Sequence, residues 1–126
     1  KAARGEDGRK YPWGRESPTE KLANFDRRFQ GTTEVMQFLE GVSPYGCLDM
    51  AGNVWEWCED ADEPGFYAQG PEFNPSNQRH VGAHNCVLRG GAWMYDGASL
   101  QLTRRTSQPP AQRQAFAGFR CVRPLL

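Results

Sequence analysis

The chain has 126 residues, and its 15 basic and 15 acidic side chains give a formal net charge of zero. A chain of this length forms at most one domain. Its balanced charge gives no indication of binding to nucleic acid or to an anionic membrane, and no apolar run is long enough to span a bilayer. Hydrophobic residues make up only 38% of the sequence, so the large aromatic side chains are expected to supply much of the buried area.

The first third of the chain is rich in turn formers. Tyr11-Pro-Trp-Gly14 is typical of a turn that carries aromatic anchors. Trp13 is therefore either the wall of a groove or a residue that packs beneath a loop. The segment 32–39 has no clear period, and a short strand is one interpretation of it.

The strongest local pattern is the stretch Tyr45-Gly-Cys-Leu-Asp-Met-Ala-Gly-Asn-Val-Trp-Glu-Trp57. It begins with turn residues and ends with residues of high strand propensity. Trp55 and Trp57 are two positions apart, so both fall on one face of the predicted strand.

The same stretch carries a second pattern, made of oxygen ligands. Carbonyl groups two residues apart along a strand point to the same edge, so those of Gly52 and Val54 can converge with the carboxylates of Asp49 and Glu56. Ca²⁺ prefers oxygen ligands of this kind, and two carboxylates offset its charge. The sequence therefore predicts a structural calcium site at these four residues.

The middle of the chain is polar. His80 and His84 are four residues apart, a spacing that suits a metal on a helix, but Gly82 lies between them and they are read as surface histidines. The long segment 64–85 is predicted to be a loop. A solvated loop is also expected for the acidic run before it, which consists of Glu59, Asp60, Asp62 and Glu63.

Two further strands are predicted near the end of the chain, at Cys86–Arg89 and at 118–122. Between them, 92–117 shows no clean period. Arg120 lies among apolar residues, and we expect it to be paired with a carboxylate because a buried unpaired charge is costly.

The four cysteines, Cys47, Cys58, Cys86 and Cys121, show no paired spacing. This argues against a zinc site. We expect buried thiols of structural importance, while a metal site shared with the histidines is the alternative.

Several segments in the same order carry a resemblance to a known family. They are Lys1-Ala-Ala-Arg-Gly5, Tyr11-Pro-Trp-Gly14, Ala23-Asn-Phe25, the stretch 45–57, Val87-Leu-Arg-Gly-Gly-Ala-Trp93 and Ala117-Gly-Phe-Arg-Cys-Val-Arg123. Together they resemble the formylglycine-generating enzyme domain, also called the sulfatase-modifying factor domain, over nearly the whole chain. The resemblance implies an α+β, loop-rich, C-type-lectin-like fold with short twisted antiparallel strands.

The resemblance also implies that residues 1–126 are the C-terminal part of a single domain whose N-terminal part lies outside this chain. A natural protein of 126 residues is the alternative. In some members of the family, the cysteine that matches Cys121 forms a disulfide with the position of Ala3. That partner is alanine here, which favours a reducing compartment such as the cytoplasm.

A second calcium segment is implied by the resemblance at 23–31. Asn24 would contribute its side-chain oxygen and Phe25 its carbonyl group, with Phe29 as a further carbonyl ligand and Asp26 as the nearest carboxylate. The family includes formylglycine-generating oxidases. This chain departs from them because two arginines, Arg27 and Arg28, lie where they have acidic residues.

The chemistry of the oxidases is not expected here. They bind copper through two cysteines, and the matching positions in this chain are Tyr95 and Leu100, neither of which is a thiolate ligand for Cu(I). The resemblance leaves open an oxygen-dependent metalloenzyme of the sulfoxide synthase type, whose iron ligands come mainly from a separate helical domain. Its metal ligands would have to lie outside this chain.

A binding role is the favoured interpretation. Some variable proteins of diversity-generating retroelements resemble this family, and their diversified part corresponds to 92–117. Tyr95 and Ser99 are compatible with adenine mutagenesis, whereas Trp93 and Gln101 would be fixed by the template. The ligand, a protein or a glycan, is expected to contact Trp93, Tyr95, Asp96, Ser99, Gln101, Thr103, Arg105, Ser107 and Phe116.

Overall fold

The structure is a computed structural model, and it describes residues 1–71, 75–77 and 84–123. It contains four short strands, β1 (Trp55–Ala61), β2 (Cys86–Arg89), β3 (Thr106–Gln108) and β4 (Ala117–Gly118). One helical turn, α1 (Phe66–Gln69), and two 3₁₀ helices at Leu39–Gly41 and Gly97–Leu100 complete the regular elements of the described ranges. Loops make up the rest of the described ranges, as expected from the abundance of glycine and proline.

The strands form one sheet in the order β3-β2-β1-β4. Strand β2 is antiparallel to both β1 and β3, and Glu56 lies opposite Arg89 across the first of these pairs. The pairing of β1 with β4 is parallel. The strand predicted at the end of the stretch 45–57 and the strand predicted at Cys86–Arg89 are confirmed, but the pairing of β4 departs from the antiparallel strands that the resemblance implied.

Three local predictions are wrong. The closing strand covers only Ala117–Gly118 rather than 118–122. No strand forms at 32–39, where Met36 adopts a left-handed backbone with φ 67° and donates its N–H to Asp49 Oδ2 at 2.8 Å. The acidic run is not simply a solvated loop, because β1 extends to Ala61 and both Asp60 and Glu63 accept hydrogen bonds from Asn77.

The core has two apolar clusters. The first contains Tyr11, Ala23, Phe25, Ala51 and Leu100, and Trp13 packs against it. The rings of Trp13 and Tyr11 are stacked with centroids 5.2 Å apart, so Trp13 is the packing residue that one interpretation predicted. The second cluster lies on the sheet and contains Trp55, Leu88 and Ala92. Trp57 packs against this second cluster, which confirms that Trp55 and Trp57 share a face.

Asn53 connects three loops at the centre of the molecule. Its N–H donates to the carbonyl of Asn24 at 2.8 Å, and its own carbonyl accepts from Trp93 N at 2.9 Å. Its side chain accepts from Thr33 N and donates to Thr33 O. The preceding Gly52 has φ 86°, and a Cβ atom there would lie 2.6 Å from Asn24 O, so only glycine fits this close approach.

The four cysteines are free thiols. Three are half-buried, while Cys121 is exposed, so the prediction of buried thiols is wrong for Cys121. Burial raises the pKa of the Cys58 thiol above its ordinary value. Within the described ranges, no helix has the length and apolar character needed to cross a membrane.

Candidate functional site

The four residues of the predicted calcium site lie around one pocket. Asp49, Gly52, Val54 and Glu56 all line a depression of about 430 Å³ beside β1. Asp49 and Gly52 have positive φ angles of 55° and 86°. These left-handed backbone conformations form the turn that precedes β1. The structure thus brings the four residues that the sequence pattern singled out to one pocket.

The carboxylate of Glu56 already has a partner. Arg120 binds it with two hydrogen bonds, 2.6 Å from Nε to Oε2 and 2.5 Å from Nη2 to Oε1. The same guanidinium donates to the carbonyls of Leu48 and Asp49, at 3.1 and 3.0 Å. The expected pairing of Arg120 is therefore confirmed, and the hydrogen bonds to Glu56 raise the pKa of Arg120 further.

Arg120 lines the same pocket, so its guanidinium offsets the charge of Glu56 there. Each carboxylate oxygen has more than one lone pair, so Glu56 can bind Arg120 and a cation together. Asp49 uses Oδ2 to accept the hydrogen bond from Met36 N, and the lone pairs of its other oxygen can serve a second partner. Within the described ranges, no three His, Cys, Asp or Glu side chains cluster as metal ligands, so carbonyl groups would have to complete the coordination of any metal there.

The second predicted calcium segment lies elsewhere, because neither Asn24 nor Phe25 lines this pocket. Asn24 is fully buried, and its Nδ2 donates to Gly31 O at 2.8 Å. Its Oδ1 is buried without a hydrogen-bond partner, which is costly and is consistent with a ligand for a cation. The guanidinium of Arg28 lies 5.0 Å from the ring of Phe25, so a positive charge already occupies this neighbourhood.

Two predicted ligand contacts belong to the aromatic core. Tyr95 and Phe116 pack against the second core cluster, and the ring of Tyr95 makes edge contacts with both Trp55 and Phe116 at centroid distances of 5.8 Å. These two side chains are half-buried, so only part of each ring can face a ligand.

The other predicted contacts are distributed along the segment. Asp96 accepts from Ser99 N and Ser99 Oγ and thereby caps the 3₁₀ helix Gly97–Leu100. Ser107 lies in β3 opposite Val87. Trp93 and Gln101 are half-buried loop residues. Only Thr103 and Arg105 of the nine line the larger cavity described next.

A larger cavity of about 930 Å³ lies between β1, β2 and the segment after Gly97–Leu100. Trp57, Tyr67, Arg89 and Leu102 contribute to its lining, together with Thr103 and Arg105. Sequence reasoning missed Tyr67 and Arg89, since Tyr67 lies in the helical turn α1, where a loop was predicted, and no local pattern brings it to the end of β2. Of the two histidines, His84 is exposed as expected, and His80 lies outside the described residues.

Comparison with known proteins agrees with the resemblance. Residues 1–125 match the family model of the sulfatase-modifying factor enzyme 1-like domain. A hercynine oxygenase of Mycobacterium tuberculosis is 36% identical over 114 residues, which cover 89% of this chain and 26% of that protein. The serine/threonine-protein kinase pkn1 of Chlamydia caviae is also 36% identical over 114 residues, which cover 90% of this chain and 18% of that protein.

Among solved structures, Treponema denticola variable protein 1 is similar to 94% of this chain and 41% of its own, with a TM-score of 0.67 and 25% sequence identity. The predicted C-type-lectin-like fold is thereby confirmed. The chain spans about a quarter or less of the length of these two curated relatives, whose names describe different activities. By its sequence and its fold, the chain belongs to the sulfatase-modifying factor enzyme 1-like domain family.

Proposed function

We propose that the chain is a ligand-binding domain that presents the side chains of 92–117 on a calcium-stabilised scaffold. The observation that carries the proposal is how the start of this segment is held. Trp93 N donates to Asn53 O, while the carbonyls of Trp93 and Tyr95 accept from Arg27 N and Asp26 N at 2.7 and 2.8 Å. Backbone groups alone make these bonds, so they hold the start of the segment without using its side chains.

A binding role rather than oxidase chemistry is supported by the two positions that match the copper ligands. Leu100 is completely buried in the first core cluster, and Tyr95 packs into the aromatic cluster on the sheet. Neither position offers a thiolate. The similarity to Treponema denticola variable protein 1 supports the narrower proposal that this chain is itself a variable protein of the retroelement type.

The calcium ion in this proposal is held by the carboxylates of Asp49 and Glu56 and by the carbonyl groups of Gly52 and Val54. Its support is that all four residues line the same pocket. The ion would supply charge neutralisation and would fix the loop between Asp49 and β1. Asn24 and Phe25 stay a separate prediction for a second ion, supported by the partnerless Oδ1 of Asn24.

An oxygen-dependent metalloenzyme is the second candidate, and the 36% identity to a hercynine oxygenase is the observation that favours it. The described residues supply no cluster of three metal-binding side chains, so iron or copper ligands would have to come from residues outside the described ranges. Metal analysis of the purified full-length protein separates the two candidates. Calcium without copper or iron supports the binding domain, whereas stoichiometric copper or iron supports the enzyme.

The binding role is tested directly by screening the full-length protein against a displayed random-peptide library and a glycan array. A variant with Gln101→Ala, Thr103→Ala and Ser107→Ala should lose the captured ligands. A control with Glu34→Gln and Glu40→Gln, two exposed residues outside the segment, should keep them. Failure of the wild type to capture any ligand, or equal capture by the segment variant, would contradict the proposal.

A further inference from the structure

The larger cavity carries an excess of positive charge, although the chain as a whole is neutral. Its lining includes five basic residues and two acidic ones, an excess of three positive charges. The basic residues are Lys1, Arg4, Arg89, Arg105 and Arg120, and the acidic residues are Glu56 and Glu59. Such a concentration in a concave surface attracts anions, because low-dielectric walls focus the field.

Two of these arginines, Arg89 and Arg105, contact the same tyrosine, Tyr67. Arg89 Nη2 donates to the hydroxyl of Tyr67 at 2.7 Å, and the guanidinium of Arg105 lies over the ring of the same residue, 5.0 Å from its centroid. Arg89 Nη1 also donates to the carbonyls of Leu102 and Arg104, both at 3.2 Å. Because a guanidinium has five N–H donors, these three bonds leave donors of Arg89 available to a ligand.

The ion pairs among the described residues do not account for this pair of arginines. Lys1 is paired with Glu6 and Arg120 with Glu56, and the other ion pairs within 1–71, 75–77 and 84–123 join Arg9 to Asp7 and Arg28 to Glu20. Arg89 and Arg105 take part in none of them. Arg89 and Arg105 both contact Tyr67, and like charges that share one cavity repel each other, so a bound anion would lower that repulsion.

We propose that this cavity binds the carboxylate or phosphate group of a ligand between Arg89 and Arg105. The apolar part of the ligand then lies against Trp57 and Leu102, which line the same cavity. Tyr67 keeps the Arg89 guanidinium oriented toward the anion through the hydrogen bond to its hydroxyl. This inference rests on the proposed binding function, since Thr103 and Arg105 belong to the segment 92–117.

The site is tested with three small probes that differ in one group. Benzoate carries a carboxylate, phenyl phosphate carries a phosphate, and benzamide is the neutral analogue of benzoate. Isothermal titration of the full-length protein should show binding of at least one of the two anions and none of benzamide. The stronger of the two identifies the chemistry of the natural ligand. Affinity should fall as sodium chloride is raised, because screening weakens exposed charge interactions.

The variants use two neighbouring arginines. Arg105→Gln should weaken binding of the anion about tenfold, the size expected for loss of one charge-assisted hydrogen bond. Arg104→Gln removes the same charge from an exposed residue that does not line the cavity, and should leave the affinity nearly unchanged. Arg89 also holds two backbone carbonyls, so Arg89→Lys is the conservative variant, and its folding is checked by thermal melting.

Equal weakening by Arg104→Gln and Arg105→Gln, or binding of benzamide as strong as that of benzoate, would overturn the anion site. The failure of this inference is distinguishable from failure of the proposed function. If library ligands are captured by the wild type and equally by Arg105→Gln, the result supports the proposed binding function and contradicts the proposed anion site. If the anions bind but no library ligand is captured, the anion site stands and the proposed function falls.

Discussion

Arg120 and Glu56 form a bidentate ion pair between the residues that follow β4 and the second residue of β1. The guanidinium also holds the carbonyls of Leu48 and Asp49, so a single side chain connects β1, the end of the sheet and the loop of the predicted calcium site. The side chains of Arg120 and Glu56 are 36% and 19% exposed, which places the pair between a surface and a buried interaction.

We expect Arg120→Gln to destabilise the protein by about 1–3 kcal/mol, because it leaves a half-buried carboxylate and two carbonyls without their donor. The free energy of unfolding is measured by urea titration in the presence of a chelator, so that calcium does not contribute. Arg123→Gln, at an exposed position three residues later, is the control and should change stability by less than about 0.5 kcal/mol. Equal effects of the two variants would show that the ion pair adds nothing.

Calcium should raise the melting temperature of the wild type, and a chelator should lower it. Ligand linkage predicts about 2.7 kcal/mol of stabilisation when free calcium exceeds the dissociation constant a hundredfold. Asp49→Asn retains a side-chain oxygen to accept the hydrogen bond from Met36 N but removes the charge, so it should abolish most of the calcium response. Glu34→Gln should retain that response. If the chelator leaves the wild-type melting curve unchanged, the prediction of a calcium ion at this site is wrong.

Gly52 and Gly46 form a matched pair for testing the close approach of two loops. Both have positive φ angles, 86° and 77°, but a Cβ atom at Gly52 would lie 2.6 Å from Asn24 O while one at Gly46 would meet nothing within 4 Å. Gly46→Ala should therefore cost about 1–2 kcal/mol from backbone strain alone. Gly52→Ala should cost several kcal/mol more or prevent folding. Similar costs at the two positions, measured by thermal melting, would contradict the tight packing of Gly52 on Asn24.

The cysteines should differ in reactivity. Burial raises the pKa of Cys58 and so lowers its thiolate fraction, while Cys121 is exposed. Iodoacetamide should therefore alkylate Cys121 well before Cys58 in the native protein, and mass spectrometry of the digested chain measures the order. In denaturant, all four thiols should react at similar rates. Faster alkylation of Cys58 than of Cys121 in the native protein would contradict its burial.

The sequence predicted structure correctly where the pattern lies within a few consecutive residues. The first residues of β1, 55–57, the strand at Cys86–Arg89 and the grouping of Asp49 with Glu56 all follow from patterns within a few residues, whereas the extension of β1 to Ala61 falls on residues that were expected to form a solvated loop. The carboxylate partner of Arg120 was predicted from the cost of burying a charge, although its identity as Glu56 needed the fold.

What the sequence did not reveal depends on contacts between distant segments. The strand Thr106–Gln108 exists because it pairs with β2, and its three residues have no period of their own. The closing strand is short because it pairs with β1 only at Ala117 and Gly118. The meeting of Tyr67, Arg89 and Arg105 joins three segments, so no spacing rule could have indicated it.

The hydrogen bonds that hold the start of the segment 92–117 have a consequence for evolution. They join Asn53, Trp93, Tyr95, Arg27 and Asp26 through main-chain atoms, so the bonds themselves do not use the side chains of the segment. Foldability is thereby separated from the identity of the exposed side chains. A library randomised at exposed positions such as Thr103 and Arg105 should keep a large share of folded members, and selection could then act on recognition without first repairing stability.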